Sequence, residues 1–224
     1  MLAPTPARPD SDPDFPTFQT ACRQLAIELT QSQYGSLVRY TQLLRDWNTR
    51  INLVSRRDTG RILSYHVLDS LAVQRLIPHD ARVCDIGSGA GLPGIPLALV
   101  RPDLKLLLVE SSQKRSQFLR TAKSDLTLAN AEVLNERCES LAPLECSVAL
   151  SRLSGPLRDV VRFAAPHRRH GGTIVLYKTR DCADELRKAG RLLARLRLRV
   201  AGSHDILLPL SSIPRRFVVL SSAR

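Results

Sequence analysis

Between residues 17 and 77 apolar groups recur at helical spacing. In QYGSLVRYTQLLRDWNTRINLV, the positions Leu37, Tyr40, Leu43, Leu44 and Trp47 fall on one stripe, which predicts an amphipathic helix. A second helix is expected from about Asp58 to Leu76, with Ile62, Leu63, His66, Val67 and Leu71 turned inward. Pro78 ends it, because a proline disfavours helix at the residue before it.

From about residue 81 the period changes. Short β-branched or leucine-rich runs alternate with helical segments: ARVCDI, LKLLLVE, AEVLN, CSVALS and GTIVLYK. Such runs, without strict alternation, are expected of strands buried on both faces of a parallel sheet. SQKRSQFLRTAKSDL and PLRDVVRFAA have the length of crossover helices, and RRFVVLSS closes the chain as an expected edge strand. The rhythm predicts a doubly wound, Rossmann-like α/β domain over 81–224, preceded by a helical cap over 17–80. Residues 1–16, rich in proline and aspartate, read as a disordered tail.

Composition adds one strong constraint. The chain of 224 residues carries 33 Lys+Arg against 21 Asp+Glu, a net charge of +12. An excess of that size points to a polyanionic partner, nucleic acid ahead of an anionic membrane surface. No apolar run is long enough to span a bilayer, and the N-terminus lacks the layout of a signal peptide, so a cytoplasmic protein is expected. Five cysteines, Cys22, Cys84, Cys138, Cys146 and Cys182, show no C-x-x-C spacing, which fits reduced thiols better than disulfides or a metal site.

The chemistry concentrates in VCDIGSGAGLPG, residues 83–94. Gly87, Gly89 and Gly91 follow the first strand, where a doubly wound sheet binds its ligand. GAGLPG satisfies the dinucleotide pattern G-x-G-x-x-G, yet Asp85 stands two residues before the first glycine. A pyrophosphate wants backbone N–H groups and would be opposed by a carboxylate. S-adenosylmethionine carries an ammonium and a sulfonium, and gains from one. At about 4 Å and an effective dielectric of 20, one such pair is worth of order 4 kcal/mol before desolvation. Glu110 ends the second strand and is suited to accept hydrogen bonds from ribose hydroxyls. A NAD-type oxidoreductase and a non-catalytic RNA-binding protein with a degenerate pocket stay open as rival readings.

These residues resemble the small-subunit ribosomal RNA methyltransferase G family, also called glucose-inhibited division protein B. VCDIGSGAGLPGIPLALVRPDL matches its signature, and LLRDWNTRINLVSRRD, YHVLDSLAV, ESSQKRSQFL and LSR extend the match over roughly residues 37–178. The resemblance implies a class I S-adenosylmethionine-dependent methyltransferase with a mostly parallel seven-stranded sheet and helices on both faces. It implies methylation of ring nitrogen 7 of a guanosine, conventionally position 527, in the 530 loop of 16S rRNA. Cofactor contacts are expected at Gly87, Leu92, Cys138, Glu139 and Arg152, with Asp85 and Glu110 as the acidic positions. Lys114, Arg115 and Arg137 fall on basic positions, and Arg152 and Lys178 are candidates for positioning the reactants. The chain departs from the family at Leu153-Ser154-Gly155 and at Thr179.

Ring nitrogen 7 carries a lone pair and no proton, so alignment and electrostatics suffice without a general base. It lies in the deep major groove of A-form RNA, so an accessible loop guanosine is the expected target, in free rRNA, a 30S particle or an assembly intermediate. Arg187, Arg191 and Arg195 recur every four residues, hence on one helix face, and PHRRHGG adds Arg168 and Arg169. These are candidates for phosphate contact, although each arginine alone equally fits a solvated face. Trp47, Asn52, His66 and Asp69 are read as structural, and no metal is expected.

Overall fold

The computed structural model describes residues 12–152, 155–178 and 182–223. Leu153, Ser154 and Thr179 lie outside them, as does most of the expected tail. Order begins before residue 17. Helix α1 (Phe15–Gln24) starts on Asp14, whose side chain accepts the Thr17 N–H at 3.0 Å. Helix α2 (Gln31–Asn48) opens on a reciprocal capping box between Thr30 and Gln33. Its stripe is the expected one: Leu37, Tyr40 and Leu44 are fully buried, while Leu43 and Trp47 are partly buried against the same core. Trp47 meets Phe118 edge-on, with centroids 5.7 Å apart.

The second helix differs from expectation. Residues 56–76 form a 3₁₀ segment (Arg56–Arg61), a π turn (Ile62–Val67), a short α3 (Leu68–Leu71) and a final 3₁₀ turn (Gln74–Leu76). Apolar spacing cannot distinguish these windings. The physical reason lies in burial: Ile62, Leu63, His66, Val67 and all of Leu68–Leu71 are inside, so nearly the whole circumference faces protein. A regular amphipathic helix would leave one side to water.

Seven strands follow: β1 (Arg82–Ile86), β2 (Lys105–Val109), β3 (Ala131–Leu134), β4 (Cys146–Ser151), β5 (Arg168–Lys178), β6 (Leu198–Leu207) and β7 (Pro214–Ser222). They lie in the order β3-β2-β1-β4-β5-β7-β6. The first five are parallel, and β7 runs antiparallel to both β5 and β6. RRFVVLSS is therefore an interior strand rather than an edge. The edge is β6, LRVAGSHDIL, which the apolar pattern misses because most of its side chains face solvent.

Helices α4 (Gly94–Val100), α5 (Gln113–Asp125), α6 (Leu157–Ala164) and α7 (Ala183–Arg195) complete the layers. One core joins the cap to Val83, Leu106, Leu108, Leu150, Val175 and Phe217 of the sheet. Their neighbours Cys84, Leu107, Ala149, Ile174 and Val218 face α6 and α7 in a second core. Strand order reverses between the parallel neighbours β1 and β4, so a crevice opens at the carboxyl ends of those strands.

Candidate functional site

The glycine turn lies in that crevice. Gly87, Gly89 and Gly91 have φ of 73°, 55° and 81°, a region glycine enters without strain. Gly91 has a second reason to lack a side chain, since a Cβ there would run into Ile95. The turn uses its own N–H groups. Gly87 and Ser88 donate to the Val109 carbonyl at 2.9 and 3.0 Å, and Gly91 and Leu92 to that of Ser88 at 2.7 and 3.3 Å. The Gly89 N–H donates to Glu110 Oε2 at 2.9 Å, and that of Gly94 to Asp85 Oδ2 at 3.1 Å. Tyr40, fully buried on α2, ties the cap to the turn by donating its hydroxyl to the Ala90 carbonyl at 2.6 Å. A pyrophosphate would thus meet two carboxylates and few spare donors, the reverse of what it needs.

Asp85 is 0% exposed, and its second oxygen, Oδ1, has no hydrogen-bond partner among the described residues. Burial raises its carboxyl to about pKa 7, against the lowering effects of the Gly94 N–H, the Ser88 side chain and the charge of Arg152. Among the described residues no cation pairs with it directly. Glu110 is also buried, with Oε1 accepting the Ser112 N–H at 2.7 Å. Beside it a cavity of about 240 Å³ is lined by Gly87, Glu110, Arg115, Arg137, Cys138, Glu139 and Phe163, among others. Sequence-predicted residues from four separate segments therefore converge here. Phe163, from α6, was not foreseen.

The family model described as rRNA small subunit methyltransferase G matches residues 33–204. The chain belongs to that family. Among similar curated proteins, the methyltransferase G of Aromatoleum aromaticum is 35% identical over 209 residues, covering 91% of this chain and 97% of its own. That of Laribacter hongkongensis is 42% identical over 150 residues, 66% of this chain and 72% of its own. Among solved structures, TYW2 of M. jannaschii in complex with AdoMet aligns with a TM-score of 0.56 at 12% identity, covering 77% of this chain and 78% of its own. TrmN from Thermus thermophilus aligns at 0.53 and 18% identity, over 71% and 53%. The fold is that of class I methyltransferases, and this methyltransferase G family member is an enzyme of that class.

Two of the expected site residues do not line the cavity, and each is held by a carboxylate. Arg152, just past β4, donates Nη2 to His66 Nδ1 at 2.5 Å and has Nε 3.1 Å from Asp69 Oδ2. Asp69, 0% exposed, also takes Arg215 through Nε at 2.7 Å and Nη2 at 2.9 Å. His66 receives that hydrogen bond as a neutral ring. Burial first, and Arg152 second, push its pKa down to about 4. Its Nε2 lies 3.4 Å from Asp58 Oδ2, close enough for attraction but not aligned as a hydrogen bond. Lys178, at the end of β5, donates to Glu185 at 2.7 Å and to the Gly155 carbonyl at 3.1 Å on the opposite face of the sheet.

The remaining basic candidates scatter. Lys114 is exposed on the first turn of α5, beside the cavity. Arg168 and Arg169 begin β5, at the opposite end of the strand from Lys178. Arg187 pairs with Asp184 at 3.0 Å, whereas Arg191 and Arg195 line a furrow between α6 and α7. Of the residues read as structural, Trp47 packs as expected and Asn52 is exposed. Asn48 is the one that ties backbone, accepting the Leu53 and Val54 N–H groups.

Proposed function

We propose that this enzyme transfers a methyl group from S-adenosylmethionine to ring nitrogen 7 of a guanosine in the 530 loop of 16S rRNA, conventionally position 527. The observation that carries the cofactor reading is Asp85: a fully buried carboxylate with one satisfied and one unsatisfied oxygen, at a turn whose N–H groups are largely spent. That environment suits a cationic ligand and not a pyrophosphate. Gly87, Gly89, Gly91 and Leu92 would shape the backbone around it. Glu110, Cys138 and Glu139 would hold the nucleoside part, with Phe163 as an apolar wall. The cofactor, when bound, supplies an electrophilic methyl group on sulfur.

The chain's own contribution is then binding, orientation and charge. Because the accepting nitrogen has a free lone pair, no residue needs to remove a proton before transfer. Arg152 and Lys178, fixed by Asp69 and Glu185, present immobile cations at the carboxyl edge of the sheet and suit the positioning of reactants or phosphate. The net charge of +12 supports a polyanionic substrate, as free rRNA, a 30S subunit or its assembly intermediate. Among the described residues, no helix is long and apolar enough to cross a membrane.

Mass mapping of 16S rRNA from cells with and without the gene tests the reading. Loss of one methyl group from a 530-loop guanosine, restored by the wild type and not by Asp85→Ala, is expected. An unchanged methylation pattern, or tight NAD binding with no affinity for S-adenosylmethionine, would refute it.

A further inference from the structure

The furrow between α6 and α7 has a charge pattern that the methyl-transfer pocket does not explain. It encloses about 290 Å³ and is lined by Arg158 and Arg162 from α6 and by Lys188, Arg191, Leu192 and Arg195 from α7. All five cations are exposed. Of the five, only Arg158 is in an ion pair among the described residues, with Asp159 at 3.5 Å, and no acid lines the furrow itself. The spacing is regular: 158 and 162 are one turn apart on α6, and 188, 191 and 195 follow one face of α7.

Such a face is unfavourable for the isolated protein. On an ordinary solvated helix, cations three or four residues apart are interleaved with acids, and like charges at that spacing repel. Here like charges recur along both helices and also oppose each other across the gap. Four of the five are arginines, whose planar forks match phosphate oxygens in two-point contact. The furrow also leads somewhere. It shares Arg158 and Lys188 with a wider cavity of about 690 Å³ lined by Gly155, Pro156, Leu157 and Glu185. Lys178 bonds to both Gly155 and Glu185, so that cavity reaches the carboxyl edge of the sheet.

We propose that this furrow is a track for the phosphodiester backbone of the rRNA outside the target nucleotide, leading away from the crevice along the outer face of the enzyme. From Lys188 to Arg195 it runs about 10 Å along the helix axis, room for a short run of successive phosphates on one strand. Contacts of this kind set orientation and affinity without reading bases. An anionic membrane is the less suitable partner, because surface-lying segments pair their cations with apolar side chains that insert. Among the described residues the exposed large apolar side chains, Val200, Leu207 and Leu210, are on β6 and the loop after it and do not line the furrow.

The proposal rests on the rRNA reading, and the test separates the two. The variant Arg158→Gln/Arg162→Gln/Arg191→Gln/Arg195→Gln is compared with Arg75→Gln/Lys105→Gln/Arg120→Gln/Arg199→Gln, which removes the same charge from other exposed sites. Binding to 16S rRNA is measured across salt concentrations, with S-adenosylmethionine affinity as the check on folding. The furrow variant is expected to keep its cofactor affinity, while the slope of log affinity against log salt flattens by about 3, from four lost contacts. Its KM for rRNA should rise well beyond that of the comparison variant. Equal flattening in both variants would overturn the track in favour of diffuse charge, with the rRNA reading intact. Loss of binding to anionic vesicles, with an unchanged rRNA slope, would overturn it in favour of a membrane. Wild-type protein that binds no rRNA would overturn both readings.

Discussion

Two aspartates, both 0% exposed, sit within the same half of the molecule and are treated in opposite ways. Asp69 is satisfied by the protein: Arg152 and Arg215 close on it, from the end of β4 and from β7. Asp85 keeps one oxygen without a partner among the described residues, and burial holds its proton to about pKa 7. A buried charge that the chain neutralises for itself stabilises the fold, here by fastening the cap to two strands. A buried carboxyl that no cation of the chain pairs keeps a proton in place of one, costs stability once ionised, and makes sense as a place kept for a ligand.

The largest effect is expected at the satisfied acid. Asp69→Ala strands two guanidinium groups whose side chains are only 15% and 11% exposed. Breaking a buried pair from one side costs about 3–5 kcal/mol, so urea denaturation should show a loss of that order, with the cap loosening first in hydrogen exchange. A loss below about 1 kcal/mol would mean that solvent reaches the arginines and that the cluster is not a clasp.

Asp85→Asn reverses the pattern. The amide oxygen still accepts the Gly94 N–H, so the turn should stand. Cofactor affinity should fall about 100-fold, about 2.7 kcal/mol, for the loss of one buried charge opposite a cation. Stability moves the other way. The folded pKa of about 7 exceeds the ordinary 3.8, so the native state holds this proton longer than the unfolded chain. The carboxyl's contribution is complete below pH 3.8 and declines as pH rises to 7. Above pH 7 the variant should therefore melt higher than the wild type, while binding worse.

The same linkage gives a pH profile. Below about pH 7 the free carboxyl is protonated, and a cationic ligand must displace that proton. Cofactor dissociation constants should rise about tenfold per pH unit below 7 and level off above it. Calorimetry in buffers of different ionisation enthalpy should detect nearly one proton released at pH 6. In Asp85→Asn the profile should be flat. A wild-type profile already flat from pH 5 to 8 would place the proton elsewhere.

How far each aspartate could be read from sequence follows from chain distance. Asp85, Gly87, Gly89, Gly91 and Glu110 lie within 26 residues and two strands, so the turn and its two carboxylates could be read from VCDIGSGAGLPG and the strand after it. The clasp joins residues 69, 152 and 215, and nothing local to Arg215 in RRFVVLSS announces a partner 146 positions away. A carboxylate in the apolar run HVLDSLAV was the one available signal. The same contrast holds for the sheet. Strands buried on both faces are plain in their composition, whereas β6, exposed along most of its length, leaves no apolar pattern. Its place at the edge also explains why β7 could be paired with only one neighbour in a sequence reading.

The smallest test uses two tyrosines with similar chemistry, one in each region. Tyr40 donates to the Ala90 carbonyl of the glycine turn at 2.6 Å, and Tyr177 to the Ser70 carbonyl, next to Asp69, at 3.1 Å. Both are buried, and burial raises both hydroxyl pKa values well above 10, so each acts only as a neutral donor. Replacing either by Phe keeps the ring and strands one carbonyl oxygen, at a cost of about 1–2 kcal/mol. In thermal melts the two should look alike. In cofactor titrations they should separate: Tyr40→Phe frees the segment between Gly89 and Gly91 and weakens binding a few-fold, whereas Tyr177→Phe touches only the clasp and leaves it unchanged. Equal cofactor affinities in the two variants would show that the cap does not brace the turn, and that Asp85 alone sets how tightly the crevice holds its cation.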